Sequence, residues 1–241
     1  MDGRKETPVR AFWWNANPPN FGDEISPVIL DAFVQERIEW VPRETEGKML
    51  AIGSILHCMK EGDTVWGTGY NRKTPLLAPQ GVRFLSVRGS ITRNLVQGAE
   101  VPEVYGDPGL LLPLVYHPKV KKTHRLGYVP HYVDKEMVGA LELKADEKLI
   151  DIQSGWQNVV KEILSCEKIV ASAMHGMICA EAYGIPVTWW KYGERIQNQE
   201  MKGNDYFLGT GRGELPFFQE LPPIPGLPKI QQRILTALRN R

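Results

Sequence analysis

Ser172–Pro186 reads SAMHGMICAEAYGIP and forms a corner. The residues leading into it, EKIVAS, are an apolar run of strand length, while those after it suit an apolar helix that ends at AYGIP. His175 and Gly176 stand at the handover. A helix start offers unpaired N–H groups and a partial positive charge, which together favour an anion such as phosphate. The reading places the helix start around Gly176, which lets an anion approach the backbone. His175 then donates to that anion or passes a proton. The plainer alternative is a histidine that fills a strand–helix corner.

Outward from this corner the same unit recurs. VRAFWW (Val9–Trp14) reads as a strand followed by the polar loop NANPPNFGDE, with a helix starting at Ser26 as N-cap and Pro27 in the first helical position. KMLAIGSIL, DTVWGTG and VRFLSVRG are strands running into glycine turns, and SITRNLVQG is a helix closed by Gly98. VPEVYGDPGLLLP reads as a short strand with a turn at Gly106–Asp107–Pro108. Beyond the basic, proline-containing stretch Pro113–Lys122 the pattern resumes with HRLGYVPHY, DEKLIDIQ, the helix WQNVVKEILSC, the strand EKIVAS and the strand VTWWKYG. Strands alternating with helices imply an α/β fold with parallel sheets. The preferred architecture is two Rossmann-like domains facing a cleft, residues 1–114 on the acceptor side and 115–241 on the donor side. Gly203–Gly213, GNDYFLGTGRG, is glycine-rich and reads as a mobile loop. The helix expected over 229–241 carries one apolar stripe, Ile230, Ile234, Leu235 and Leu238, and is expected to pack back on the first domain.

Composition narrows the function. Among 241 residues, 42% hydrophobic and 24% charged, the formal net charge is +1, so charge balance gives no argument for a nucleic-acid partner. No apolar run approaches the roughly 18 residues of a membrane span. The start MDGRKETPVR lacks the apolar core of a secretory signal. Cys58, Cys166 and Cys179 have no close pairing and read as reduced, buried thiols in a cytoplasmic protein. No His, Asp or Glu spacing has metal-ligand character, so no metal is expected.

Seven stretches, in order, carry a resemblance: NFGDEISPVIL, AIGSILH, DTVWGTG, SVRGSITRNLV, VPEVYGDPGLLLP, YVPHYVD and SAMHGMICAEAYGIP, between Asn20 and about Arg212. The sequence resembles the polysaccharide pyruvyl transferase family, in particular its short exopolysaccharide members of the xanthan and succinoglycan type. The resemblance implies a glycosyltransferase-B-like pair of domains and phosphoenolpyruvate (PEP) as donor, with no further cofactor. It implies transfer of pyruvate as a ketal onto a sugar, with release of phosphate. The acceptor it implies is a lipid-linked oligosaccharide at the inner face of the cytoplasmic membrane, where peripheral contact with the bilayer is possible. The family's essential histidine corresponds to His175 and its arginine to Arg88; a basic residue after the histidine helix corresponds to Lys191.

The residue chemistry agrees with such roles. PEP carries a phosphate and a carboxylate, so its site needs several positive donors. Arg88 offers a planar fork, Lys191 a point charge at a strand end, and Arg212, flanked by glycines, a clamp that acts when its loop closes. The proton for the PEP methylene comes from His175, or His175 simply grips the phosphate. Asp23 orients or deprotonates an acceptor hydroxyl, or else serves the start of the following helix. Asn20, His57 and His131 complete the expected acceptor side, while Asp107 reads as an Asx-turn residue. Two other readings stay open: a glycosyltransferase of the same fold using a nucleotide-sugar, and a non-catalytic subunit of polysaccharide assembly.

Overall fold

Twelve strands and eight α-helices lie along residues 5–241, the part of the chain that the computed structural model describes. The strands are β1 (Lys5–Phe12), β2 (Glu36–Trp40), β3 (Met49–Leu50), β4 (Thr64–Trp66), β5 (Leu76–Leu77), β6 (Arg83–Ser86), β7 (Val96–Gln97), β8 (His124–Val129), β9 (Glu147–Leu149), β10 (Cys166–Ala171), β11 (Val187–Trp189) and β12 (Gln219–Glu220). The helices are α1 (Phe21–Phe33), α2 (Ser90–Leu95), α3 (Leu112–Val115), α4 (Lys135–Gly139), α5 (Trp156–Leu164), α6 (Met174–Ala182), α7 (Gln199–Gly209) and α8 (Leu227–Arg239). The opening residues Met1–Arg4, part of the stretch weighed above as a signal, lie outside the described residues.

Two five-stranded sheets result, ordered β2-β1-β3-β4-β6 and β12-β11-β10-β8-β9, with a small parallel pair β5-β7 beside them. The first is parallel throughout, and in the second only β12 runs antiparallel, against β11. This is the mixed α/β fold with parallel sheets that strand–helix alternation implies. Side chains alternate across the first sheet. Ala11, Met49, Trp66 and Leu85 face a large buried cluster that also contains Val129, Ile169 and Trp189 of the second sheet. Their neighbours Phe12, Leu50, Val65 and Phe84 pack into a separate cluster on the opposite face. Cys58, Cys166 and Cys179 are buried and free. Among the described residues no helix is long and apolar enough to cross a membrane.

Several boundaries differ from the sequence reading. Helix α1 starts at Phe21, with Asn20 as N-cap, so NFGDE is its first turn and not a loop. Phe21, Ile25 and Ile29 bury one helix face at intervals of four, and this stripe extends the helix past the Ser26–Pro27 start signal. Trp13 and Trp14 lie beyond the end of β1. VPEVYG makes a single bridge, Val87 to Tyr105, before Asp107 caps a 3₁₀ turn at Pro108–Leu111. Most of the expected loop Gly203–Gly213 is helix α7. Its glycines serve close packing: a Cβ on Gly209 would lie 2.0 Å from the Arg88 carbonyl oxygen.

Helix α8 lies against the first sheet and buries Ile230, Ile234, Ala237 and Leu238. The Trp66 indole donates to the Ile234 carbonyl at 2.9 Å, and the Arg233 guanidinium donates to the Tyr105 and Gly209 carbonyls. Replacing Trp66 with Phe removes the indole bond and part of the buried volume. It is expected to cost about 1–3 kcal/mol, read from a shifted denaturant midpoint with an unchanged slope. An unchanged midpoint would mean that α8 is not docked through this bond.

Candidate active site

A cavity of about 310 Å³ opens where the carboxyl ends of β1 and β3 meet those of β8 and β10. This is the sheet edge at which parallel α/β folds bind ligands, because loops and helix starts gather there. β10 ends at Ala171, and α6 begins three residues later without any side-chain cap, so its first-turn N–H groups depend on other partners. Met174 is the first helical residue, which puts Gly176 inside the helix. A Cβ at Gly176 would lie 2.5 Å from Val129 Cγ1. The glycine therefore seats α6 on β8, and the expected approach of an anion over it is not what this packing provides.

His175 lines the cavity with 13% of its side chain exposed, and its Nε2 lies 3.5 Å from Asp107 Oδ2. Asp107 is wholly buried, and its other oxygen accepts the Gly109 N–H at 2.8 Å. The imidazole packs on bare backbone at Gly22, where a Cβ would fall 2.2 Å from Nδ1. A helix start and a glycine thus seat the ring beside a buried carboxylate, with His175 Nε2 and Asp107 Oδ2 facing each other without a hydrogen bond. Asp107, read from the sequence as a turn residue, fills that role and also backs the histidine.

Asn20 and Asp23 enter the cavity from the first turn of α1, with Asn20 Nδ2 donating to Asp23 Oδ2 at 3.0 Å. Burial raises the Asp23 carboxyl above the ordinary range, while Asn20 and His175 pull the other way. His131 follows β8, and its pKa is pushed down to about 4 by burial, with Lys202 and His175 adding to the effect. It is therefore a neutral imidazole near pH 7. Burial, helped by Arg72 and Arg43, also lowers His57, whose Nδ1 is enclosed without a hydrogen-bond partner. The cavity brings Asn20, Asp23, His57, His131 and His175 together.

Three expected anion ligands are placed elsewhere. Arg88 is fully buried behind the cavity wall, with Nε 2.9 Å from Asp205 Oδ2, Nη1 bonded to Ser54 Oγ at 2.7 Å and Nη2 to the Tyr70 carbonyl at 3.3 Å. It reaches the lining only through Ser54 and Met174, not as an open fork. Lys191 pairs with Glu194 at 2.6 Å and lies over the Phe217 ring, away from the cavity. Arg212 is buried and held by both oxygens of Glu181, Thr210 Oγ1 and the Pro222 carbonyl, above the Tyr206 and Phe207 rings. A guanidinium with so many fixed partners is a structural lock, and no loop swings it onto a ligand.

Helix α7 supplies two lining residues that the sequence reading missed, Gln199 and Lys202. Gln199 Nε2 donates to the Ser172 and Trp190 carbonyls, while its Oε1 is buried without a partner. Lys202 is half-buried; burial, with Arg88 nearby, pushes its pKa down to about 8. The signal was in the spacing. Gln199, Lys202, Asp205 and Gly209 recur at helical intervals, but the glycines hid the helix.

Residues 69–193, just over half of the chain, match the family described as polysaccharide pyruvyl transferase. The chain belongs to that family and is a transferase. It is similar to the uncharacterized protein L143 of Acanthamoeba polyphaga mimivirus, at 30% identity over 225 residues, covering 86% of this chain and 76% of that protein. It is also similar to the succinoglycan biosynthesis protein ExoV of Rhizobium meliloti (strain 1021), at 24% identity over 215 residues, covering 84% of this chain and 65% of that one. No solved structure gives a significant match.

Proposed function

We propose that the chain moves the pyruvyl group of phosphoenolpyruvate onto two hydroxyls of one sugar in an exopolysaccharide or its lipid-linked repeat unit. Family membership supports pyruvyl transfer onto a polysaccharide. The observation that carries the chemistry is the His175–Asp107 pair at the uncapped start of α6, inside a cavity sized for a small donor and part of a sugar. An imidazole backed by a buried carboxylate is suited to holding a proton and releasing it to a substrate.

His175 gives its proton to the PEP methylene, which becomes the methyl group, and positive charge develops at C2. A first sugar hydroxyl adds at C2 and its proton passes to Asp23, whose raised pKa suits a proton acceptor. The C2–O bond to phosphate then breaks. A second hydroxyl closes the ketal, and its proton together with that on Asp23 restores His175 and leaves hydrogen phosphate. Neutral His131, with Asn20 and His57, lines the space assigned to the acceptor. In this reading the chain divides at residues 114 and 115 into acceptor-side and donor-side Rossmann-like domains of the glycosyltransferase-B type, the facing sheet edges being its support. The reaction needs no cofactor beyond the donor, and it takes place in the cytoplasm at the inner membrane face.

Incubating the purified protein with PEP and a lipid-linked or soluble oligosaccharide is expected to release phosphate only when the acceptor is present. Mass analysis should show an acid-labile pyruvyl ketal on the acceptor. Turnover that requires a nucleotide-sugar in place of PEP would overturn the proposal.

A further inference from the structure

Lys202 occupies an unusual position for a lysine. It is carried by α7, one turn after Gln199 and one turn before Asp205. Gln199 is anchored to the Ser172 and Trp190 carbonyls, and Asp205 is anchored to Arg88 and Thr92, so the helix is tied on either side of Lys202. Lys202 between them lines the cavity, and among the described residues no carboxylate pairs with it. Arg88 from the turn after β6 and His131 after β8 are the charged or titratable groups that act on it, and His175 on α6, Asp23 on α1 and His57 after β3 share the same cavity lining. Asp205 on its own helix is already taken by Arg88.

A half-buried ammonium beside a guanidinium, with no counter-ion of its own, is unfavourable for the empty protein and favourable for one that holds an anion. The buried, unpartnered Gln199 Oε1 in the same lining is an acceptor for a protonated oxygen or hydroxyl of such a ligand. We infer that Lys202 is the primary anion ligand of the cavity, binding the donor's phosphate or carboxylate directly, while Arg88 acts from behind the wall as the group that keeps Ser54 and α7 in place. The inference takes the identity of the donor from the pyruvyl-transfer reading, but the anion site itself rests on the cavity alone.

The lowered pKa adds a signature. With Lys202 titrating at about 8, the empty site loses its charge as pH rises through that value, and a dianion restores it by drawing in a proton. Affinity for inorganic phosphate and for PEP is therefore expected to fall as pH rises across about 8, with proton uptake visible as a buffer-dependent heat of binding. Lys202→Met should weaken both ligands by about ten- to a hundredfold at neutral pH, the loss of one charge-assisted bond. Lys202→Arg should keep affinity and remove the pH slope. Lys202→Met should melt at or above the wild type at pH 7, since removing a half-buried charge with a depressed pKa relieves a cost, whereas Lys202→Arg keeps the charge and should melt no higher than the wild type. Wild-type affinity and slope in Lys202→Met overturn the inference and leave the pyruvyl-transfer reading intact. Phosphate binding that depends on Lys202, without any PEP binding, has the opposite meaning: the anion site stands and the donor is wrong. If the wild type binds neither anion, both fail.

Discussion

His175→Ala is expected to lower turnover with PEP by about 10²–10⁴, the usual contribution of a positioned proton donor. The fold should persist, since the ring packs on bare backbone at Gly22 and removal leaves only a small space that opens into the cavity. His175→Gln separates the two chemical roles. Glutamine keeps a hydrogen-bond donor near Asp107 and cannot shuttle protons. Near-native PEP affinity with turnover as low as in the alanine variant identifies His175 as the acid. Weak binding with near-native turnover at saturation makes it a phosphate grip. Normal turnover in both variants would reduce the corner to a structural feature.

Asp205→Ala is expected to destabilise the protein by about 3–5 kcal/mol, because it strands a guanidinium that has no access to water. The same carboxylate also accepts the Thr92 N–H at 2.7 Å and the Thr92 hydroxyl at 2.7 Å, so the start of α2 loses its cap as well. Asp205→Asn retains acceptor geometry on one oxygen and should lose less. Equilibrium denaturation of the two variants provides the check. A change below about 1 kcal/mol in the alanine variant would show that water or another acceptor replaces the carboxylate.

The alternation of strand and helix, and with it the parallel sheets, was legible because apolar runs of strand length end at glycine or asparagine turns from Val9 onward. The corner at His175 was legible for the same reason. What the sequence concealed were contacts made over long distances. The start of α1 depends on Phe21 and Ile25 packing into a core shared with the second sheet, which overrides the local signal at Ser26–Pro27. The family resemblance points to Arg88 and Lys191 as anion ligands, and the glycines around Arg212 suggest a loop clamp. Only the folded chain reveals that Asp205, Glu194 and Glu181 already serve them. Lys202 directly precedes a glycine-rich stretch that suggests a mobile loop, whereas the glycines let a helix approach a neighbouring backbone.

The Arg88–Asp205 and Trp66–Ile234 contacts join residues 117 and 168 positions apart. During synthesis the ribosome releases the first sheet long before it makes the helices that seal it. Until α7 emerges, Arg88 has no counter-charge and α2 has no cap, and until α8 emerges the part of the sheet around β4 and β6 stands open to water. The nascent amino-terminal part is thus an incomplete object that must wait, with a still-hydrated cation that the finished fold buries and an apolar patch uncovered. Fragments cut between the two sheets should inherit the same deficiency, so an isolated first half is expected to be insoluble until the second half is supplied in trans.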